Sequence, residues 1–438
     1  MSNEEKALAH VAEAEKNTNN ISDIAANTGQ RSIETVAVIG AGTMGGGIAM
    51  NFVNVGIPVT LLETSDEALQ RGLGIIRGNY ERSMKRGKLT QQELDERMAR
   101  ISTTLSYSDL ADADMVIEAV FENMDIKKAV FSELNKVCKR DAILATNTST
   151  LDVDEIAAVT SRAENVIGLH FFSPANVMRL LEVVRGKHTA DDVILSSMAM
   201  AVKIKKVAAL VGVCFGFVGN RMFEPYGREM QMLLLEGAVP EQIDKAMMDF
   251  GMAMGPCSVY DLAGIDVCYK VLKERDDVPD DERYSWAFID LFEKGRYGQK
   301  TGQGFYSYNK ETRERLSDPV VEKILEDKAS YFGIVRREIS DEEIVARMVY
   351  PLINEAALIL EEGIASKPGD IDIIWIYGYG FPATRGGPMY YADTIGLDKV
   401  YKSITELSEK HGAQYWTPAP LLERLVKEGK PFAELNNS

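Results

Sequence analysis

His170 and Glu182 lie twelve positions apart, in NVIGLHFFSP and RLLEVV, two short apolar runs that read as strands. A carboxylate among such neighbours is desolvated and needs a partner. A histidine fits: the acid would hold the imidazole in one tautomer and stabilise the imidazolium once the ring takes a proton. The alternative is a core histidine satisfied locally and an unrelated edge-strand glutamate. Asn147-Thr-Ser149 follows AILAT, at the carboxyl end of an expected parallel strand, where ligands bind in doubly wound folds. Ser149 could hold a substrate oxygen, or cap a helix that starts near Asp152. Asn220 follows FGFVG, where a helical region begins, and reads equally as a helix-start amide.

A second constellation is Gly40-Ala-Gly42-Thr43-Met44-Gly45, after the strand VAVI and before a helix. The first glycine permits a tight turn and the second lets a pyrophosphate approach the backbone. The third lets helix and strand pack closely. The helix start, with Thr43 and Met44, supplies free amides and partial positive charge to the phosphates. Glu63 follows Gly42 by 21 positions at the end of the next strand. Its carboxylate can accept both ribose hydroxyls of an adenosine and repel a 2′-phosphate. No arginine follows in Thr64-Ser65-Asp66, so NAD is expected rather than NADP. Arg82, Lys85, Arg86 and Lys88 put four cations in seven residues. They are a candidate polyphosphate patch, or a solvated helix end.

Alternating segments must position these residues. Strands are expected at Thr35–Ile39, Val59–Glu63, Met115–Ala119, Ile143–Thr146, Asn165–His170, Leu180–Val184 and Val207–Leu210. Helices are expected at Thr43–Val55, Asp66–Lys85, Gln91–Arg100 and Asp125–Lys139. This alternation implies a doubly wound, mostly parallel sheet. Residues 1–30 read as a short amphipathic helix, Glu4–Lys16, and a polar tether. From about Phe217 the period turns helical.

The helical part repeats. Arg221-Met222, Pro225 and Glu236-Gly237 recur 126 positions later as Arg347-Met348, Pro351 and Glu362-Gly363. Gly255-Pro256, Asp261, Gly264 and Asp266 recur 132 positions later. This is a duplicated helical domain. The connector Asn309–Ser340 reads as charged and irregular.

The chain has 438 residues, 49 Lys+Arg against 66 Asp+Glu, and a net charge of −17. That length suggests two or three domains. The acidic balance argues against nucleic acid, whose binding rests on cations meeting phosphates. Four cysteines without a CxxC signal neither a disulfide framework nor a zinc site, and four histidines exclude a histidine-rich metal centre. The uncharged stretch Thr35–Leu62 has the length of a membrane span, but its six glycines suit a strand–turn–helix–strand unit better. A soluble protein of the reducing cytoplasm is expected, with no membrane partner.

Together the segments VAVIGAGTMGGGIAMNF, VIEAVFEN, ATNTST, GLHFFSP with VMRLLEVV, GFVGNRM and MGP with YDLAGID resemble the L-3-hydroxyacyl-CoA dehydrogenase family over residues 33 to 310. The second helical copy resembles the extra C-terminal domain of multifunctional fatty-acid β-oxidation enzymes. The resemblance implies α/β plus all-α architecture: a Rossmann-type sheet domain followed by two tandem helical domains. The expected division is a linker at 1–32, an NAD-binding domain at 33–215, helical domains at 216–312 and 341–438, and a connector at 313–340. The implied reaction is NAD-dependent oxidation of (S)-3-hydroxyacyl-CoA, or its reverse, without the hydratase half. His170 is then the base, Glu182 its orienting partner, and Ser149 and Asn220 position substrate. Glu63 becomes the ribose ligand. Glu122, Lys127 and Asn147 match cofactor-side positions, and Arg86 is a candidate substrate cation. Ser173 stands where the family usually has Asn beside the nicotinamide, and Phe215 replaces the usual Pro. Ala346 matches Asn220 in the second copy, which should therefore be structural. Separate hydratase and thiolase partners and a monomeric or weakly dimeric state are expected.

Overall fold

The computed structural model describes residues 1–273, 275 and 278–437. Two compact units emerge. One holds Glu5–Asn220, Ile359–Gly378 and the residues from Ala433 on. The other holds Met1–Glu4, Arg221–Leu358 and Tyr379–Phe432.

The first unit is built on an eight-stranded sheet. Its strands are β1 (Val36–Ile39), β2 (Val59–Leu62), β3 (Ile101–Thr104), β4 (Met115–Glu118), β5 (Ile143–Thr146), β6 (Val166–Phe171), β7 (Leu180–Arg185) and β8 (Val207–Gly212). The order is β3-β2-β1-β4-β5-β6-β7-β8. VAVI, MVIE and ILAT are buried at every position, as strands covered on both faces must be. β1 through β6 run parallel. β7 runs antiparallel to β6, and β8 is parallel to β7. The reversal at β7 and the edge strand β3 were not expected. ISTT is polar and only partly covered, so no apolar run announces it.

The helices of this unit are α1 (Asn3–Asn17), α2 (Thr43–Val53), α3 (Asp66–Lys85), α4 (Gln91–Ala99), α5 (Met124–Val137), α6 (Val153–Ala157) and α7 (Asp191–Lys203). The expected tether is instead pinned to the sheet layer. Ile24 and Ile33 enter the core, and Arg31 pairs with Asp192 at 2.7 Å. Only short polar spacing separates these anchors in the sequence, which is why they read as linker.

The helical repeat is visible element by element. The first copy has α8 (Gly219–Glu236), α9 (Pro240–Phe250), α10 (Pro256–Ala263), α11 (Ile265–Lys273) and α12 (Trp286–Glu293). A helix α13 (Pro319–Tyr331), capped by Asp318, stands in the connector expected to be irregular. The second copy has α14 (Asp341–Glu361), α15 (Pro368–Tyr379), α16 (Pro388–Ile395), α17 (Leu397–His411), α18 (Ala413–Trp416) and α19 (Pro420–Glu428). α8 and α14 each carry an internal proline, Pro225 and Pro351. Gly264 and Gly396, with φ near 104° and 92°, end the equivalent helices α10 and α16. Asp261 accepts from the Phe305 N–H, and Asp393 from the Phe432 N–H, each at 2.8 Å.

The two copies are joined reciprocally within the helical unit. Arg221 of α8 binds Glu355 of α14 at 2.7 Å, and Arg347 of α14 binds Glu229 of α8 at 3.0 Å. The same offset of 126 relates Arg221 to Arg347 and Glu229 to Glu355. This is the pattern of a twofold interface, formed inside one chain.

The segment around α15 belongs to the sheet unit. Ile364 O accepts from the Gly212 N–H at 2.7 Å, and Ala365 bridges Val211 on the edge strand β8. α1 lies along α15: His10 meets Asp372 at 2.8 Å, Glu15 bonds Tyr377, and Lys367 Nζ donates to Asn17 O at 3.1 Å. Among the described residues no helix is long and apolar enough to cross a membrane.

Candidate active site

The glycine motif takes the form its spacing requires. Gly40 has φ 99°, and a Cβ there would lie 2.6 Å from Ala119 O. At Gly45 a Cβ would lie 1.8 Å from Gly40 O, so only glycine lets α2 approach the strand turn. A Cβ on Gly42 would meet nothing within 4 Å. The open space therefore lies over the middle glycine, where α2 begins without a side-chain cap. Thr43 is exposed and Met44 half-buried in its first turn. Free helix amides facing open space fit a pyrophosphate. Glu63, just past β2, accepts from the Ala41 N–H at 2.8 Å and the Thr64 N–H at 3.0 Å. Its carboxylate is thereby fixed beside the glycine turn.

His170 and Glu182 are directly opposed in the antiparallel β6–β7 ladder. His170 Nδ1 lies 2.7 Å from Glu182 Oε2. The other carboxylate oxygen accepts from the Gly219 N–H at 2.9 Å. Both Glu182 oxygens thus face N–H groups, and the acid is wholly buried. That leaves Nε2 as the imidazole nitrogen free of Glu182, the tautomer a proton acceptor needs. Phe172 and Phe217 flank the ring at centroid distances of 4.5 and 5.6 Å.

Ser149 does not cap α6. Asp152 does, accepting from Asp154 N and Glu155 N at 2.8 and 3.2 Å. The loop of Ser149 is instead held by Glu122. One Glu122 oxygen accepts from Thr148 Oγ1 at 2.6 Å, Ser149 N at 2.7 Å and Thr150 N at 3.1 Å. Burial alone would raise the Glu122 carboxyl. Lys127 and these donors outweigh it and hold the carboxyl below its ordinary range. Asn220, in the first turn of α8, reaches Ser149 O through Nδ2 at 3.4 Å. Asn147 Oδ1 accepts from the Phe171 N–H at 2.9 Å, tying the end of β5 to the residue after His170.

Lys127 is fully buried, 2.7 Å from Glu118 and 3.3 Å from Glu122, whose carboxylate it positions. Arg86 is exposed at the end of α3 and, among the described residues, shares no hydrogen bond or ion pair with the His170 cluster. Ser173 is exposed in the β6–β7 loop. Glu118 was missed. It is fully buried and binds Lys127 Nζ, Val120 N and Thr146 Oγ1 at 2.7 to 2.8 Å. The signal was present, because an acid in the apolar strand MVIE needs partners just as Glu182 does.

A glycine-cradled helix start, an acid at the end of β2 and an oriented imidazole at the carboxyl end of β6 define a dinucleotide-dependent dehydrogenase. Residues 35–214 match the 3-hydroxyacyl-CoA dehydrogenase NAD-binding domain. Residues 216–308 and again 344–434 match that family's C-terminal domain. The chain belongs to the 3-hydroxyacyl-CoA dehydrogenase family. It is 43% identical to a peroxisomal bifunctional enzyme of Danio rerio, covering 92% of this chain and 58% of that protein. It is 36% identical to a glyoxysomal fatty acid beta-oxidation multifunctional protein of Brassica napus, covering 98% and 60%. The chain therefore spans about three fifths of the length of these relatives. Among solved structures it resembles a 3-hydroxybutyryl-CoA dehydrogenase from Escherichia coli, with TM-score 0.78, 28% identity and coverage of 91% and 99%. It also resembles the dehydrogenase part of a multifunctional enzyme from C. elegans, with TM-score 0.71, 32% identity and coverage of 95% and 96%. The expected cytoplasmic location is overturned, since these curated relatives are peroxisomal and glyoxysomal. Cysteine usage separates oxidising from reducing surroundings and resolves nothing finer.

Proposed function

We propose that the chain oxidises (S)-3-hydroxyacyl-CoA to 3-oxoacyl-CoA with NAD, or runs the reverse, within fatty-acid β-oxidation. The observation that carries this is the buried His170–Glu182 pair, 2.7 Å apart, in a chain with the glycine cradle of α2. NAD, when bound, supplies the hydride acceptor. His170 Nε2 takes the hydroxyl proton, and Glu182 stabilises the imidazolium that results. Ser149 and Asn220 hold the 3-oxygen and the thioester carbonyl. Gly40, Gly42, Thr43, Met44 and Gly45 hold the pyrophosphate, and Glu63 the adenosine ribose. Asn147 keeps the His170 strand in register, Glu122 shapes the Ser149 loop, and Ser173 borders the nicotinamide.

The substrate chemistry calls for a hydratase to supply the 3-hydroxyacyl-CoA and a thiolase to consume the product. The sequence modules 33–215, 216–312 and 341–438 serve as cofactor domain, first helical domain and an intramolecular counterpart of it. The reciprocal Arg221–Glu355 and Arg347–Glu229 pairs support a monomer, because the second copy occupies a place that a second chain would take. Ala346, in the place of Asn220, supports a structural role for that copy.

The test is NADH formation from (S)-3-hydroxybutyryl-CoA by the parent chain and by His170→Ala. The variant should keep NADH binding and lose turnover by about 100-fold or more. Near-parental turnover removes His170 from the mechanism.

A further inference from the structure

A cavity of about 260 Å³ in the sheet unit has no task in this reaction. Four cations line it, Arg97, Arg179, Lys205 and Lys206, together with the carboxamides of Asn51 and Asn54. Its lining contains no Asp or Glu. In a chain with 66 acids and 49 cations, composition does not account for that.

Lys206 is buried, and its Nζ donates to Ala175 O and Met178 O at 2.6 Å each. Among the described residues neither Lys205 nor Lys206 has a carboxylate within ion-pair distance. Burial pulls the Lys206 ammonium down to about 8, as expected for a charge without a counterion. Arg97 lies 3.9 Å from Glu93, and Arg179 lies 3.1 Å from Glu15. Both acids stand outside the lining, so about two positive charges remain unbalanced around the cavity.

We propose that this cavity binds the dianionic phosphate of a small molecule. Two unbalanced cations match the charge, and the guanidinium forks and the Asn54 Nδ2 amide match the oxygens. The space equals about nine water-sized groups at ~30 Å³ each, enough for a phosphate and part of the group that carries it. This is not the pyrophosphate cradle. Asn54 follows the last residue of α2 and Thr43 is its first, a separation of about 16 Å along the helix. The ligand would act on the β6–β7 loop. Asn51 Nδ2, at 3.0 Å, and Lys206 Nζ both hold Ala175 O in the loop that joins the strand of His170 to that of Glu182.

The test uses the full chain with saturating NADH, which fills the dinucleotide site. Inorganic phosphate and adenosine 3′,5′-bisphosphate, the phosphate end of CoA, are titrated by calorimetry against chloride at matched ionic strength. Saturable binding is expected, weakened tenfold or more in the double variant Arg97→Gln/Lys205→Asn. Lys205 has φ 62°, which Asn tolerates well, so the fold should survive. Tighter binding of the bisphosphate identifies a carried phosphate, and equal binding identifies free phosphate. No saturable binding beyond chloride, or binding unchanged in the double variant, overturns the proposal.

Discussion

Replacing Glu182 by Gln exchanges one oxygen for an amide and removes one charge, with almost no change of shape. Both Glu182 oxygens now accept, one facing His170 Nδ1 at 2.7 Å and the other the Gly219 N–H at 2.9 Å. A glutamine has one acceptor and one donor, so one of these contacts must fail. If the carbonyl stays on His170, the amide opposes Gly219 N–H in a buried place. If it turns, the amide donates to Nδ1, and the proton moves to Nε2, where the base should be empty. Either way the imidazolium loses its buried counter-charge. A hydrogen bond to a charged group contributes about 1.5–3 kcal/mol, and an opposed buried donor costs a similar amount. A loss of about 2–4 kcal/mol in the transition state slows turnover roughly 30- to 900-fold. The assay is steady-state NADH formation from (S)-3-hydroxybutyryl-CoA at saturating NAD, with NADH affinity followed by fluorescence. Affinity should stay within about twofold, because Glu182 acts on the imidazole. Turnover within threefold of the parent, with NADH binding intact, refutes the reasoning.

Glu63→Ala should weaken NADH about tenfold or more in a fluorescence titration, and an unchanged affinity sinks the ribose assignment. Arg347→Met should destabilise the chain by about 1.5–3 kcal/mol, because buried Glu229 then keeps only Arg228, 3.4 Å away, as its counter-charge. Arg347→Met/Glu229→Leu should recover part of the lost melting temperature, and no recovery would separate the two residues energetically. Burial pushes Asp370 up to about 7, against the pull of Lys367 and with a further push from Asp372. An unfolded Asp titrates near ~3.9, so the folded chain keeps a proton there that the unfolded chain releases. This contribution to stability is complete below about pH 4 and is lost as pH rises through about 7. Asp370→Asn should therefore melt higher, relative to the parent, at pH 8 than at pH 5, and a constant difference contradicts the assignment. Light scattering should give the 48.5 kDa mass of a single chain, and a stable dimer at low concentration contradicts the intrachain interface.

The residues whose chemistry conflicts with their surroundings were the legible ones. An acid in RLLEVV demanded a partner, and β6–β7 pairing supplies His170. Glycines at fixed spacing demanded a turn and a close helix, and Gly40 and Gly45 sit in those places. The reversal at β7 was not legible, because apolar runs carry no strand direction. β3 escaped because edge strands need no buried face. The burial of Lys127 was not legible, because proximity in sequence to Glu122 does not say which way a lysine turns, and Glu118 draws it inward. The docking of α1 on α15 depends on contacts across some 360 positions, such as His10 with Asp372. No local pattern marks them.

The crossed Arg–Glu pairs of α8 and α14 have an evolutionary corollary. In an assembly of identical chains every substitution strikes both faces at once, so neither face can change alone. With the two faces encoded separately, one can drift while its opposite holds still. Dilution cannot part them either. Ala346, standing opposite Asn220 at the offset of 126, shows such one-sided divergence already under way.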